Sequence, residues 1–315
     1  MKKIFSLLVI LLGFMGPIIA QDSTETAATE APKQKFARAT FNATKLINMQ
    51  TTEIVSPGAI QFMISHHFGY LWNKDLGEKD GQFINQRFRQ NAANLFGLNS
   101  GIANTYLSFD YSPLTWANVG LAATGRGHFE GWTKFKLLRQ QTGMNDIPVS
   151  VSLYSLASIS ATKKVVDTEF VANRWSFMHQ LLIARKFSDK VSIQLIPTWI
   201  HNNVVPYGVN MSNDIFSMGI GGKYKVKSSL NLTFEYARQM NMYENLMDKN
   251  GNIVNYSPDL YSAGIEINTG GHLFQFYVGN TTDASAIDQL SRNTSDGKVA
   301  LGFTINRSLN IKKDK

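Results

Sequence analysis

From residue 59 onward the chain alternates apolar and polar positions with a period of two. That is the repeat of an extended strand, whose successive side chains point to opposite faces. Ile60, Phe62, Ile64, His66, Phe68 and Tyr70 share one face, and Gln61, Met63, Ser65, His67 and Gly69 share the other. The pattern recurs: Thr105, Leu107, Phe109 and Tyr111 alternate with Asn104, Tyr106, Ser108 and Asp110, and Leu230, Leu232, Phe234 and Tyr236 alternate with Asn231, Thr233 and Glu235. Val299, Leu301, Phe303 and Ile305 repeat it near the C-terminus. The spacing predicts about 12 strands, over 59–70, 103–111, 116–124, 129–140, 148–160, 173–187, 190–203, 214–227, 229–240, 259–268, 271–280 and 298–309. Each is close to the about 9–11 residues that a tilted strand needs to cross a bilayer.

The joins between these segments alternate in length. Residues 112–115, 141–147, 188–189, 228 and 269–270 make short joins, whereas 71–102, 161–172, 204–213, 240–258 and 281–297 make long ones. Outer-membrane barrels have short periplasmic turns and longer external loops. Residues 125–128 are the exception, a short join at an external position. An even strand count places both termini in the periplasm.

A soluble β-sandwich would also show period-two strands. Its strands are usually shorter, about 5–6 residues. Here the apolar faces carry Phe62, Phe68, Phe109, Phe135, Trp175, Phe177, Trp199, Phe234, Phe274, Phe276 and Phe303. The opposite faces look small and polar, as a lumen requires. The predicted fold is therefore all-β: a closed, antiparallel, up-and-down transmembrane β-barrel of about 12 strands over residues 59–315.

The 315-residue chain has no Cys, so an exported form must rely on core packing and sheet hydrogen bonds. Lys2 and Lys3 before an apolar run to Ala20 have the layout of a secretory signal peptide, 1–20. Residues 21–35, rich in Thr, Ala, Glu and Pro, are expected to be a flexible leader. Residues 36–58 show no clear period and are expected to form a periplasmic arm or plug, or one extra strand pair. The net charge of +8 is scattered, and Lys223, Lys225 and Lys227 alternate with Tyr224 and Val226 like a strand end rather than a nucleic-acid patch. No nucleic-acid partner is expected; outer-membrane lipid is.

Candidate chemistry is sparse. Ser65 and His67 share a face but, two positions apart on a strand, do not aim at each other as a nucleophile and base must. No GxSxG turn occurs. His67, His179, His201 and His272 could bind a metal only if the strand register brought them together. No catalytic residue, cofactor or metal ligand is assigned. Asp110, Glu130, Lys134, Lys136, Glu235 and Glu266 alternate with apolar positions and are the candidate lumen-facing charges. A Lys on the lipid face at mid-depth would cost about 2–4 kcal/mol. Their mixed signs favour interior pairing that plugs a narrow barrel over a ring of one charge.

Several segments together resemble a known family: Ile64-Ser65-His66-His67-Phe68-Gly69, Phe135-Lys136-Leu137-Leu138-Arg139-Gln140, Leu182-Ile183-Ala184-Arg185-Lys186-Phe187-Ser188, Gly219-Ile220-Gly221-Gly222-Lys223-Tyr224 and Thr269-Gly270-Gly271-His272-Leu273-Phe274-Gln275. The chain resembles, over roughly residues 39–309, a Bacteroidota β-barrel family named only as a domain of unknown function. The resemblance implies an outer-membrane barrel, and no reaction or ligand.

The expected function is thus a non-enzymatic outer-membrane barrel, either a narrow pore for small polar solutes or a structural barrel. The alternatives are a binding or adhesion protein working through its loops, above all 71–102 with Trp72, Phe83, Phe88 and Arg87, and an outer-membrane lipid hydrolase. The sequence names no protein partner and leaves one open.

Overall fold

The computed structural model describes residues 34–73, 104–143, 145–161, 171–204, 212–241, 246–247, 253–254, 259–291 and 298–311. The expectations for the signal peptide, the leader up to residue 33, and most of the 71–102 loop lie outside these residues.

Twelve strands close into one antiparallel barrel: β1 (Ala59–Asn73), β2 (Asn104–Leu114), β3 (Ala117–Thr124), β4 (His128–Leu138), β5 (Ser150–Ser160), β6 (Trp175–Lys186), β7 (Val191–Asn202), β8 (Asp214–Lys227), β9 (Leu230–Gln239), β10 (Leu260–Asn268), β11 (Leu273–Gly279) and β12 (Lys298–Asn310). Every strand pairs with its neighbours in sequence, and β12 pairs with β1 to complete the ring, with Phe303 opposite His66 and Leu309 opposite Ile60. Closure leaves no unpaired edge, the condition for a sheet in lipid. The strand count, order and approximate spans agree with the period-two prediction. Residues 34–58 add no strand to the barrel; Lys35–Phe36 forms a two-residue pair with Gln141–Thr142 outside it.

Burial alternates along the strands as the period requires. Outward positions hold the predicted aromatics, among them Phe109, Trp199, Phe234 and Phe276, all exposed. Some of these rings pack across strands, as Phe62 does on Phe109 and Phe276 on Phe303, with centroids 4.9 Å apart in both pairs. The inner face departs from expectation. It is polar on much of its area, but Leu156, Met178, Leu182, Ile196, Ile200, Ile215 and Leu260 also point inward and are buried. They are not wasted on an aqueous lumen, because the lumen is filled.

Two segments fill it, one from each end. At the end of the short turns, Ile311 N–H donates to Gly58 O at 3.2 Å, so the chain enters β1 beside the end of β12. Residues 40–52 precede that point and nearly all are buried. They bond to side chains on strands all around the ring, which places them inside it. Between β11 and β12, at the opposite end, residues 280–291 include the short helix α1 (Ala286–Ser291), with Ile287 and Leu290 buried. Ile287, Leu290 and Met49 join the inward apolar residues in one core cluster. The helix α1 packs against β6 and β9, and Met49 of the hairpin reaches the same apolar cluster. The unexpected apolar positions thus have a packing cause.

Aromatic rings lie across glycines on the adjoining strand. A Cβ at Gly302 would stand 2.0 Å from the Tyr277 ring, and one at Gly120 would stand 2.3 Å from the Trp132 ring. Both glycines face their aromatic directly across the ladder. Overpacking costs about 1–3 kcal/mol. Gly302→Val should therefore lower the temperature at which the folded band is lost in heat-modifiability electrophoresis, and adding Tyr277→Ala should recover part of the loss.

Candidate functional site

Residues 45–50 form a tight hairpin. Lys45 bridges Gln50, and Leu46 N–H donates to Met49 O at 2.8 Å. Its tip is held by a carboxylate of the wall. Glu235, inward on β9, accepts Asn48 N–H and Met49 N–H, each at 3.0 Å, and Asn48 Nδ2 at 2.6 Å. Asn48 Nδ2 also reaches Ser262 Oγ on β10 at 3.0 Å. Successive N–H groups converging on one anion form a concave binding geometry favourable to negative charge.

The other wall groups turn to the carbonyls of the same segment. Lys134 Nζ on β4 donates to Thr44 O at 3.1 Å and Glu53 O at 3.0 Å. Gln275 Nε2 on β11 donates to Leu46 O at 2.6 Å, and Gln194 Nε2 on β7 to Gln50 O at 2.9 Å. Ser152 Oγ on β5 reaches Thr52 O at 3.3 Å. Lys223 Nζ on β8 donates to Ala39 O at 2.9 Å and Asn42 Oδ1 at 3.1 Å.

The six candidate charges divide by role. Glu235 and Lys134 hold the hairpin as above. Glu266 accepts Asn42 Nδ2 at 2.6 Å as well as Asn231 Nδ2 at 2.9 Å, so it joins wall and inserted chain. Lys136 Nζ lies 3.6 Å from Glu53 Oε2, at the turn end. Asp110 serves the wall itself, accepting Asn118 Nδ2 at 2.7 Å and Trp132 Nε1 at 3.0 Å. Glu130 faces the other insertion, accepting Ser285 Oγ at 2.5 Å and Tyr106 OH at 2.9 Å.

Sequence reasoning passed over Lys223, which sits in a basic run that resembles an exposed strand end, and Lys45, which lies before the first strand. Lys223 is buried against the inserted segment, while Lys225 and Lys227 are exposed. Alternation itself was the available signal, since Lys223 shares a face with Gly221 and Gly219. Lys45 Nζ lies 3.7 Å from the centre of the Tyr106 ring. Burial lowers its pKa from the ordinary lysine value, against the raising pull of Glu130, Asp110 and Glu235. Among the described residues, three buried lysines (Lys45, Lys134, Lys223) accompany four buried carboxylates (Asp110, Glu130, Glu235, Glu266). The interior is close to charge-balanced rather than a ring of one sign.

The two insertions meet. Gln289 Nε2 donates to Asn48 Oδ1 at 3.2 Å, and Gln239 Nε2 holds Leu290 O at 2.7 Å. The anomalous short join 125–128 finds its use here: Arg126 pairs with Asp283 and Thr282, and His128 Nε2 lies 3.4 Å from Asp288 Oδ2. An interior void bounded by Lys45, Asn48, Ser65, His67, Tyr106 and Thr304 measures about 10 Å³, room for no more than about one water.

The histidines are dispersed. His67 faces inward, with Nε2 3.3 Å from Tyr277 OH, and Ser65 Oγ lies 3.1 Å from that same hydroxyl. His179 and His201 lie on outward positions, and His272 closes the turn around Gly270, whose φ is +84°. Register therefore separates the four.

Residues 41–309 match the family described as a membrane-bound β-barrel domain (DUF5777). The chain belongs to this DUF5777 family of unknown function. None of the curated proteins matches the chain in sequence. Among solved structures, the DUF5777 barrel is similar to an outer-membrane channel from Pseudomonas putida F1, at 12% identity over 82% of this chain and 98% of that one, TM-score 0.48. The NanC porin is 7% identical over 80% of this chain and 100% of its own, TM-score 0.45. The KdgM porin is likewise 7% identical, over 80% and 99%, TM-score 0.44.

The geometry makes a direct prediction. The Asn48 and Met49 amides belong to no ladder, yet should exchange slowly with solvent deuterium in detergent micelles. Glu235→Ala removes their acceptor and should speed both by roughly tenfold or more, since a lost hydrogen bond is worth about 0.5–1.5 kcal/mol and one to a charged group about 1.5–3. Unchanged exchange would show that Glu235 does not hold the hairpin.

Proposed function

We propose that the chain is a non-enzymatic outer-membrane channel for small polar solutes, closed at rest by its own residues 40–52, with both termini in the periplasm. The observation that carries this reading is the hairpin at 45–50. Charged and amide side chains of the barrel wall hold it, and the same groups would line a polar lumen once it leaves. Such groups are costly to bury and are retained where polar contents must be bound. The segment enters from the end where both described chain ends lie, so it can leave on the side of its own tether. The resemblance adds an origin in Bacteroidota and the outer membrane. Asp110, Glu130, Lys134, Lys136, Glu235 and Glu266 are proposed as lumen-facing charges of this channel, with Glu235 and Lys134 as the main holders of its closed state.

Planar-bilayer recording tests this. The wild-type barrel should be mostly silent. Glu235→Ala leaves two main-chain donors without an acceptor, at about 1–3 kcal/mol each, and should raise the open time at least tenfold. If both proteins are folded by heat-modifiability and both stay silent, the structural-barrel reading takes its place. If the wild type conducts as freely as the variant, the hairpin does not close the lumen.

A further inference from the structure

We infer that the lumen is built to bind an oligopeptide folded back as a hairpin, through its main chain, the inserted segment being an internal copy of that ligand. This rests on the channel reading above. Lys134, Ser152, Gln194, Lys223 and Gln275, from five different strands, donate to the main-chain carbonyls of Ala39, Thr44, Leu46, Gln50, Thr52 and Glu53. Glu235 accepts two main-chain N–H groups between them. Donors at the carbonyls and an acceptor at the amides match any peptide, whatever its side chains. Hydroxyl-rich solutes such as sugars present no comparable row of pure acceptors.

The wall also makes room for side chains. A Cβ on Gly221 would stand 2.6 Å from Leu46 Cδ2, and one on Gly219 would stand 3.0 Å from Met49 Sδ. Two glycines on the inner face of β8 thus clear space for apolar side chains of the bound chain. The near balance of buried lysines and carboxylates gives no strong preference for one charge sign. The ligand class is therefore a short peptide of small or apolar side chains, read by backbone hydrogen bonds.

The test uses two forms of the protein in planar bilayers that both keep the wall intact: full-length Asn48→Pro, which takes the Asn48 main-chain and side-chain donors to Glu235 out of the inserted segment, and a chain lacking residues 40–53. Three probes are added: a synthetic peptide of the 40–53 sequence, an equally long peptide of Ala and Ser, and an uncharged linear oligosaccharide of similar mass. Both peptides should produce discrete blocks in either form, and the oligosaccharide at least tenfold fewer at equal concentration. Adding Gln194→Leu and Gln275→Leu should shorten the peptide blocks roughly tenfold per hydrogen bond lost. Equal blocking by the oligosaccharide would overturn main-chain recognition while leaving the channel standing. Blocking by the 40–53 peptide alone would overturn it too, showing recognition of that segment's side chains. Silence of both forms would overturn the channel reading and this inference with it.

Discussion

A backbone without regular secondary structure can lie inside a barrel only where the wall satisfies its N–H and C=O groups. Each such group buried without a partner costs on the order of a few kcal/mol, and 40–52 carries thirteen residues of it into the barrel interior. The wall meets that demand with side chains drawn from most of the ring. Glu235 takes the amides at the tip, while Lys134, Gln194, Gln275 and Lys223 take carbonyls along the arms. At the helix α1, Gln289 N–H is met by Ser285 O and Leu290 O by Gln239, while Ile287 and Leu290 pack into the apolar cluster.

The two insertions are not independent. Asn48 is bound by Glu235 and Ser262 of the wall and by Gln289 of α1, so movement of the hairpin releases a contact to the helix. The helix in turn is tied to the opposite rim through Arg126 with Asp283 and to the wall through Glu130 with Ser285. Charge balance restricts the same movements. Taking Lys45 or the carbonyls of residues 44 and 53 away from the interior leaves carboxylates or Lys134 facing one another with fewer partners, which favours cooperative release of the segment over piecemeal loss.

Much of the barrel was legible in the sequence. A period of two is a local property, written in residues one and two positions apart, so the strands at 229–240 and 298–309 could be placed without knowing their partners. The inward direction of Glu235 or Lys134 followed from the same parity. What fills the lumen was not legible. Asn48 and Glu235 are separated by 187 residues, and 36–58 has no repeat to declare where it goes. The inward Leu156, Met178 and Ile200 broke the polar-lumen expectation for the same reason: the cluster they join includes Met49 and Leu290, in segments whose position depends on the whole ring. Lys223 shows the limit of reading a run by its charge. Parity does not separate it from Lys225, which falls on the same face but lies exposed at the strand end.

The chain has no Cys, so a pair can be introduced without competing thiols. Asn48 and Ser262 side chains approach to 3.0 Å, and oxidative trapping of Asn48→Cys with Ser262→Cys in intact membranes asks directly whether the hairpin lies inside the barrel. Near-complete disulfide formation, seen as a mobility shift reversed by reductant, is expected. Free thiols at both positions under conditions that oxidise a control pair across β9 and β10 would contradict an inserted hairpin, and with it the closed lumen.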